Sequence, residues 1–285
     1  MRSGMIALAG CVIATLVVGS GCGSRQQSGG AGPGAPADTL SGEITVVGST
    51  TVQPLAERLA TAFEQLHPGA VITVQGGGSS VGVTSAGEGT ADLGAASRDI
   101  APSEFNQYDD LVVYTIARDG IAVVANPDVP VSDLTLEQVR GIFSGSVTKW
   151  SDVGGPDEDV VVVSREEGSG TRAAFQELVM GDSLQIAGSA ILQPSNGALL
   201  TTVSGTPWSI GFLSFGYLDQ TVKAMSIGGV APTAENASSG AYPVVRPLNL
   251  VSKGDAQGLA SAWIDFIYSA GGQAIVTEEG YLPVD

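Results

Sequence analysis

The sequence predicts an α/β fold, and three observations carry that prediction. Apolar runs of strand length alternate with helical-period stretches along the 285 residues. Three strand-like runs end in turns of glycine and hydroxyl residues that open helices: Gly48-Ser49-Thr50-Thr51, Gly76-Gly77-Gly78-Ser79-Ser80 and Gly168-Ser169-Gly170-Thr171. No repeat of fixed length stands out, which argues against a solenoid.

In chain order, Glu43 to Val47 reads as a short strand. The helix after it carries Pro54 in its first turn and Leu55, Leu59, Phe63 and Leu66 on one face. Val71 to Val74 is a second strand, followed by a helix of small residues. Ala91 to Arg98 reads as a buried strand ending in a polar turn. Leu111 to Ile116 and Ile121 to Ala125 read as two strands separated by Ala117-Arg118-Asp119-Gly120. Thr135 and Gln138 are spaced for a capping box on a helix reaching Phe143. Val160 to Val163 is an apolar strand, and Ala174, Phe175, Leu178 and Val179 share a face of the helix beyond it. Ser209 to Phe215 and Tyr242 to Val245 are expected strands. Ala256 to Tyr268 is an expected helix burying Leu259, Trp263, Phe266 and Ile267, and a last short helix leads to Tyr281.

The formal net charge of −17 disfavours nucleic acid or an anionic membrane surface as an electrostatic partner. An anion recognised by such a chain has to be held by local dipoles rather than by a basic field. Both cysteines, Cys11 and Cys22, precede the folded body, so no cysteine metal site is expected, and no metal or cofactor. Residues 1–21 read as a secretory signal peptide, with Ile6 to Val18 as its apolar core. Gly19-Ser20-Gly21-Cys22 is similar to a bacterial lipoprotein processing site with Cys22 acylated. Leu8-Ala9-Gly10-Cys11 is the alternative, and plain cleavage and release a third reading. Residues 22–41, rich in Gly, Ser, Pro and Ala, read as a disordered, lipid-anchored tether.

Strand-to-helix turns suit anions, because the first helical amides lack internal partners and the macrodipole adds partial positive charge. The plainer reading of each turn is a hydroxyl capping its own helix. Enzyme readings fare worse. Gly78-Ser79-Ser80-Val81-Gly82 spells a nucleophile elbow around Ser80, but the single histidine, His67, precedes that serine, the wrong order for an α/β-hydrolase. No Gly-Lys dipeptide exists, so a Walker A loop is absent. No catalytic residue is assigned. Three hydroxyl-rich turns, with Arg165, Arg98 and Asp119 in neighbouring turns, form a set suited to a small tetrahedral oxyanion.

Five ordered motifs then resemble the phosphate-binding lipoproteins of bacterial ABC importers, the type II solute-binding proteins. They are Gly48 to Leu55, Gln75 to Ser80, Ala91 to Arg98, Arg165 to Thr171, and Ser209-Ile210-Gly211-Phe212. The resemblance implies a type II periplasmic binding protein fold: two lobes of mixed sheet flanked by helices, with ligand in the cleft. The crossings are placed near Arg118 to Ile121 and Val244 to Leu248, giving one lobe of residues 42–119 with 246–285 and another of 120–245. It implies a monomer with two partners, inorganic phosphate and the membrane permease of an ABC importer. Carried over by position, the ligand residues are Ser49, Thr50, Thr51 and Ser79 from one lobe, and Arg165, Ser169, Gly170 and Thr171 from the other, with Glu167 orienting Arg165. Longer members have an aspartate where this chain has Arg98. Arg98 then becomes an extra donor, and Asp119 the candidate acceptor for a ligand proton. Sulfate or molybdate capture, hydrolysis at Ser80 and a surface protein with a vestigial cleft are the competing readings.

Overall fold

The computed structural model describes residues 40–284. The signal peptide, Cys22 and nearly all of the tether expectation lie outside those residues, and Ser41 already belongs to the first strand.

The first half of the described chain alternates strand and helix: β1 (Ser41–Gly48), α1 (Val52–Leu66), β2 (Gly69–Gly76), α2 (Ser79–Glu88), β3 (Leu93–Ala96), α3 (Pro102–Gln107) and β4 (Leu111–Ala125). It continues through β5 (Asp133–Leu134), α4 (Leu136–Ser144), β6 (Val161–Arg165), α5 (Gly170–Phe175), β7 (Ile191–Gln193), α6 (Asn196–Gly205) and β8 (Ser209–Ser214). β9 (Lys223–Ala224), β10 (Ser226–Ile227), α7 (Ala234–Ser238), β11 (Val245–Lys253), α8 (Gly258–Tyr268) and α9 (Ala270–Glu278) complete it.

One mixed sheet runs in the order β2-β1-β3-β11-β4-β8-β6-β7, with β9 added beside β4. Parallel pairing of β1 with β2 and β3, and of β6 with β7 and β8, follows from the helical crossovers between them. β4 and β11 are antiparallel, with Asp119 opposite Arg246. β4 then passes on to pair with β8 from Ile121.

The two larger hydrophobic cores among the described residues flank this crossing. One draws on residues 44–117 and 248–281, including Leu55, Leu59, Phe63, Leu93 and Trp263. The other draws on residues 121–244 with Leu282, and its centre is Phe143, Phe175 and Phe212. Phe175 and Phe212 stack with centroids 4.2 Å apart, and Phe143 meets Phe175 edge-on at 4.8 Å. Each core holds one lobe, and β4 and β11 carry the chain between them.

Four sequence expectations change. The two strands expected around Ala117–Gly120 are one continuous strand, because pairing with β11 carries that polar stretch through. The strand expected at Tyr242 begins instead at Val245 and runs to Lys253. Pro247 and Asn249 hid it, since proline donates no ladder bond. Leu178 is 39% exposed rather than buried, while Val179 and Met180 face the core. α5 runs on into one π turn, Gln176–Met180, whose wider spacing rotates the apolar face by a residue. Leu66 closes the last turn of α1 in solvent, 64% exposed.

At the crossing, Arg246 donates from Nε (3.1 Å) and Nη2 (2.8 Å) to Asp119 Oδ2. Asp119 Oδ1 accepts from Ser214 Oγ (2.9 Å) and the Phe215 amide (3.2 Å). Both residues are buried, at 0% and 2% exposure. Burial pushes the Asp119 carboxyl up and the Arg246 guanidinium down, while their contact opposes both shifts. Removing one partner leaves the other charged and dry. Asp119→Ala is therefore expected to destabilise the fold by about 3–5 kcal/mol, read as a lower urea midpoint.

Candidate functional site

The carboxyl ends of two sets of parallel strands, β1 to β3 and β6 with β7, deliver the polar turns to one cleft, as open α/β sheets do. β1 ends at Gly48 and hands over Ser49, Thr50 and Thr51; β2 leads to Gly78 and Ser79; β3 leads to Ser97 and Arg98. From the other lobe, β6 ends on Arg165 and leads to Ser169, Gly170 and Thr171, and β7 leads to Pro194, Ser195 and Asn196.

Arg165 is 2% exposed. Its Nε donates to the Gln193 carbonyl (3.1 Å) and its Nη2 to the Pro194 carbonyl (2.9 Å) and Thr50 Oγ1 (3.2 Å). Nη1 has no partner. Burial and the nearby Arg246 charge push this guanidinium down to about 10, so it stays charged at neutral pH. Two buried cations thus lie near one another while one carboxylate, Asp119, pairs with Arg246 alone, a local positive balance inside an acidic protein.

The hydroxyls form two linked sets. Ser49 Oγ accepts from the Thr51 (3.1 Å) and Val52 (3.3 Å) amides, capping α1, and donates to Ser97 Oγ (2.9 Å). Ser79 Oγ accepts from the Ser97 amide (3.0 Å) and lies 3.4 Å from Ser97 Oγ. Across the cleft, Thr51 Oγ1 meets Thr171 Oγ1 at 3.1 Å and accepts from Asn196 Nδ2 (2.8 Å) and Arg246 Nη2 (3.1 Å). Ser169 Oγ caps α5 by accepting from the Arg172 amide (3.3 Å). The amides of Thr50, Ser79, Gly170 and Thr171 donate to no protein acceptor among the described residues.

The lobes touch across this cleft. The Ser80 amide donates to the Gly168 carbonyl (3.2 Å), and Tyr217 Oη donates to the Thr50 carbonyl (2.7 Å). Gly170 makes the approach possible, because a Cβ there would overlap Ser79 Oγ and lie 2.6 Å from Ser97 Oγ. Gly78 takes φ +94°, a left-handed conformation that suits glycine, as its amide bonds the Gly48 carbonyl at 2.8 Å.

Eight of the ten nominated ligand residues therefore meet: Ser49, Thr50, Thr51, Ser79, Arg165, Ser169, Gly170 and Thr171. The other two are held by different partners. Asp119 has both oxygens filled by Arg246, Ser214 and Phe215, so it serves as the counter-ion of Arg246. Arg98 makes a two-pronged ion pair with Glu104, both contacts 2.7 Å, and reaches Ser80 Oγ at 3.3 Å. Glu167 does not orient Arg165; it projects into solvent 4.0 Å from Arg172, and carbonyls do the orienting instead. Arg246, Ser97 and Asn196 are cleft residues that the sequence reading did not nominate. Pro194-Ser195-Asn196-Gly197 is a fourth polar turn opening a helix, and its composition was the available sign.

Residues 33–270 match the PBP superfamily domain. The phosphate-binding protein PstS of Bacillus subtilis is 33% identical over 288 residues, spanning all of this chain and 95% of that one. The chain belongs to the PstS family of the PBP superfamily. Among solved structures, a putative phosphate ABC transporter substrate-binding protein with bound phosphate from Clostridium perfringens is 39% identical, with a TM-score of 0.82. The match covers 86% of this chain and all of that one. An ABC-type phosphate transport receptor from Vibrio cholerae is 35% identical with a TM-score of 0.71, over 85% of this chain and all of that one. The two-lobed α/β fold is thus the fold of this family.

Two outcomes follow from the geometry. Burial acts to raise the Glu104 carboxyl, but hydrogen bonds from Arg98 and the Ala101 amide, with the Arg98 charge, hold it below its ordinary 4.5. Its contribution to stability is present above that value and is lost as pH falls through the lower folded value. Thermal unfolding across acid pH should accordingly show a shallower decline in Glu104→Gln than in the parent. Gly170→Ala should retain the fold of each lobe yet hold the cleft apart, which small-angle scattering would register as a larger radius of gyration.

Proposed function

We propose that the chain captures inorganic phosphate between its lobes and delivers it, as a monomer, to the membrane permease of an ABC importer. It works outside the cytoplasm, held to the membrane by a lipid on Cys22. The observation that carries this reading is Arg165, a buried cation with a free Nη1, set among unpaired amides and hydroxyls from both lobes. Similarity to the phosphate-bound Clostridium perfringens protein supports phosphate as the anion.

In this mechanism Arg165 supplies the charge and the Thr50, Ser79, Gly170 and Thr171 amides supply neutral donors. The Thr50, Ser79, Ser169 and Thr171 hydroxyls complete the shell, while Ser49 holds the Thr51 turn in place. Arg98 steadies the rim through Glu104 and Ser80. Charge-assisted bonds contribute roughly 1.5–3 kcal/mol each, and a micromolar ligand needs only about 8 kcal/mol. The surplus offsets anion desolvation and the ordering of two lobes. Closure brings both halves of the shell together, and the permease reads the closed shape. Binding rather than catalysis fits the surroundings of Ser80, whose hydroxyl meets Arg98, while the only histidine packs on Phe63 with ring centroids 4.5 Å apart.

Calorimetry with inorganic phosphate and sulfate tests the reading. Phosphate is expected to bind at micromolar affinity or tighter, with sulfate far weaker. Arg165→Ala should weaken phosphate by about 100-fold or more. Equal affinity for the two anions would reject phosphate as the selected ligand.

A further inference from the structure

Among the described residues, four buried side-chain polar atoms have no partner: Ser164 Oγ, Arg165 Nη1, Asn196 Oδ1 and Trp263 Nε1. Trp263 lies in the core of the first lobe. Arg165 and Asn196 belong to the cleft, and they are chemically opposite. Arg165 Nη1 can only donate, whereas Asn196 Oδ1 can only accept. A buried acceptor left unpaired costs about 1–3 kcal/mol, so its retention needs a reason.

Thr51 Oγ1 receives Asn196 Nδ2 and Arg246 Nη2, which fills both its lone pairs. Its single proton therefore goes to Thr171 Oγ1, 3.1 Å away, and Thr171 is left with its own proton to give. Ser49 Oγ likewise receives two amides and passes its proton to Ser97 Oγ. The cleft hydroxyls are polarised into donors, and the free amides are donors already. Such a donor-rich shell suits bare oxyanion oxygens, and none of its hydroxyls or amides is a dedicated acceptor for an oxygen that carries hydrogen.

The carboxylates nearby are spent. Asp119 is filled by Arg246, Ser214 and Phe215, Glu104 by Arg98 and the Ala101 amide, and Glu167 projects into solvent beside Arg172. Asn196, 0% exposed, sits at the start of α6 two residues after Pro194, whose carbonyl fixes Arg165. The amide is itself fixed by its bond to Thr51 in the opposite lobe.

We propose that Asn196 Oδ1 accepts the hydrogen of a protonated tetrahedral oxyanion and so selects phosphate over sulfate. This assignment rests on the phosphate-capture reading above. Phosphate at neutral pH carries at least one proton to donate; sulfate carries none and would leave Oδ1 facing a lone pair. Because the acceptor is a neutral amide, selection works by one made or unmade hydrogen bond, without charge repulsion.

The test titrates the full-length protein with inorganic phosphate and, separately, with sulfate by competition, in the parent, Asn196→Ala and Asn196→Asp. In Asn196→Ala the expected result is a phosphate affinity lower by about 10- to 100-fold with sulfate unchanged or tighter, so the selectivity ratio collapses. In Asn196→Asp an acceptor remains and a negative charge is added, so the ratio should rise by about tenfold or more. Parallel losses for both anions in Asn196→Ala would overturn the proposal, because they would make Asn196 a donor or a structural prop. Unfolding midpoints without anion report whether each variant folds; if the alanine variant does not, the aspartate ratio decides alone, and a ratio that stays level or falls overturns the assignment. A parent protein that binds no phosphate would refute the capture reading itself, and that result is visible before any variant is compared.

Discussion

The Arg246–Asp119 pair is the interaction on which the rest of the molecule depends. It lies where β4 and β11 face one another, between the two cores, and it reaches in both directions. Asp119 bonds Ser214 and Phe215 in the second lobe, while Arg246 bonds the Ser97 carbonyl (3.0 Å) and Thr51 in the first. A desolvated ion pair is a poor source of net stability. Its value here is positional: it sets the first link of the hydroxyl chain that runs through Thr51 to Thr171. It also places a second cation near Arg165 without adding net charge at the crossing.

The acidic composition and the positive cleft are compatible because the two act over different ranges. Exposed carboxylates are screened within about 8–10 Å at ordinary ionic strength. Arg165 and the strand-end amides act at contact distance in a dry site, where each donor counts for more. The surface charge opposes anions at long range, while the donors of the cleft are directed at contact distance.

Much of this architecture was legible in the sequence. Strand, turn and helix recur at Gly48, Gly76 and Gly168, and those turns furnish the larger part of the cleft. The capping box at Thr135 and Gln138 forms with both of its bonds, at 3.1 and 2.8 Å. What escaped depended on tertiary partners. β11 contains Pro247 and Asn249 and becomes a strand only because β3 and β4 flank it. The π turn after Phe175 leaves no mark in apolar spacing. Arg98 and Asp119 stand in the right stretches, but Glu104 and Arg246 had claims on them that no local motif discloses. Asn196 is the reverse case, a residue in an unremarked turn whose role emerges only when its neighbours' protons are counted.

The backbone-to-backbone seal between Ser80 and Gly168 has a kinetic consequence. That bond, the Tyr217 clasp on the Thr50 carbonyl and the absence of a side chain at Gly170 bring the two lobes into direct contact along one seam. Under the proposed phosphate capture, a bound ion leaves when this seam parts. On that proposal, residence time follows the opening rate of the protein's own seam, and a partner that pries it open sets when the cargo leaves.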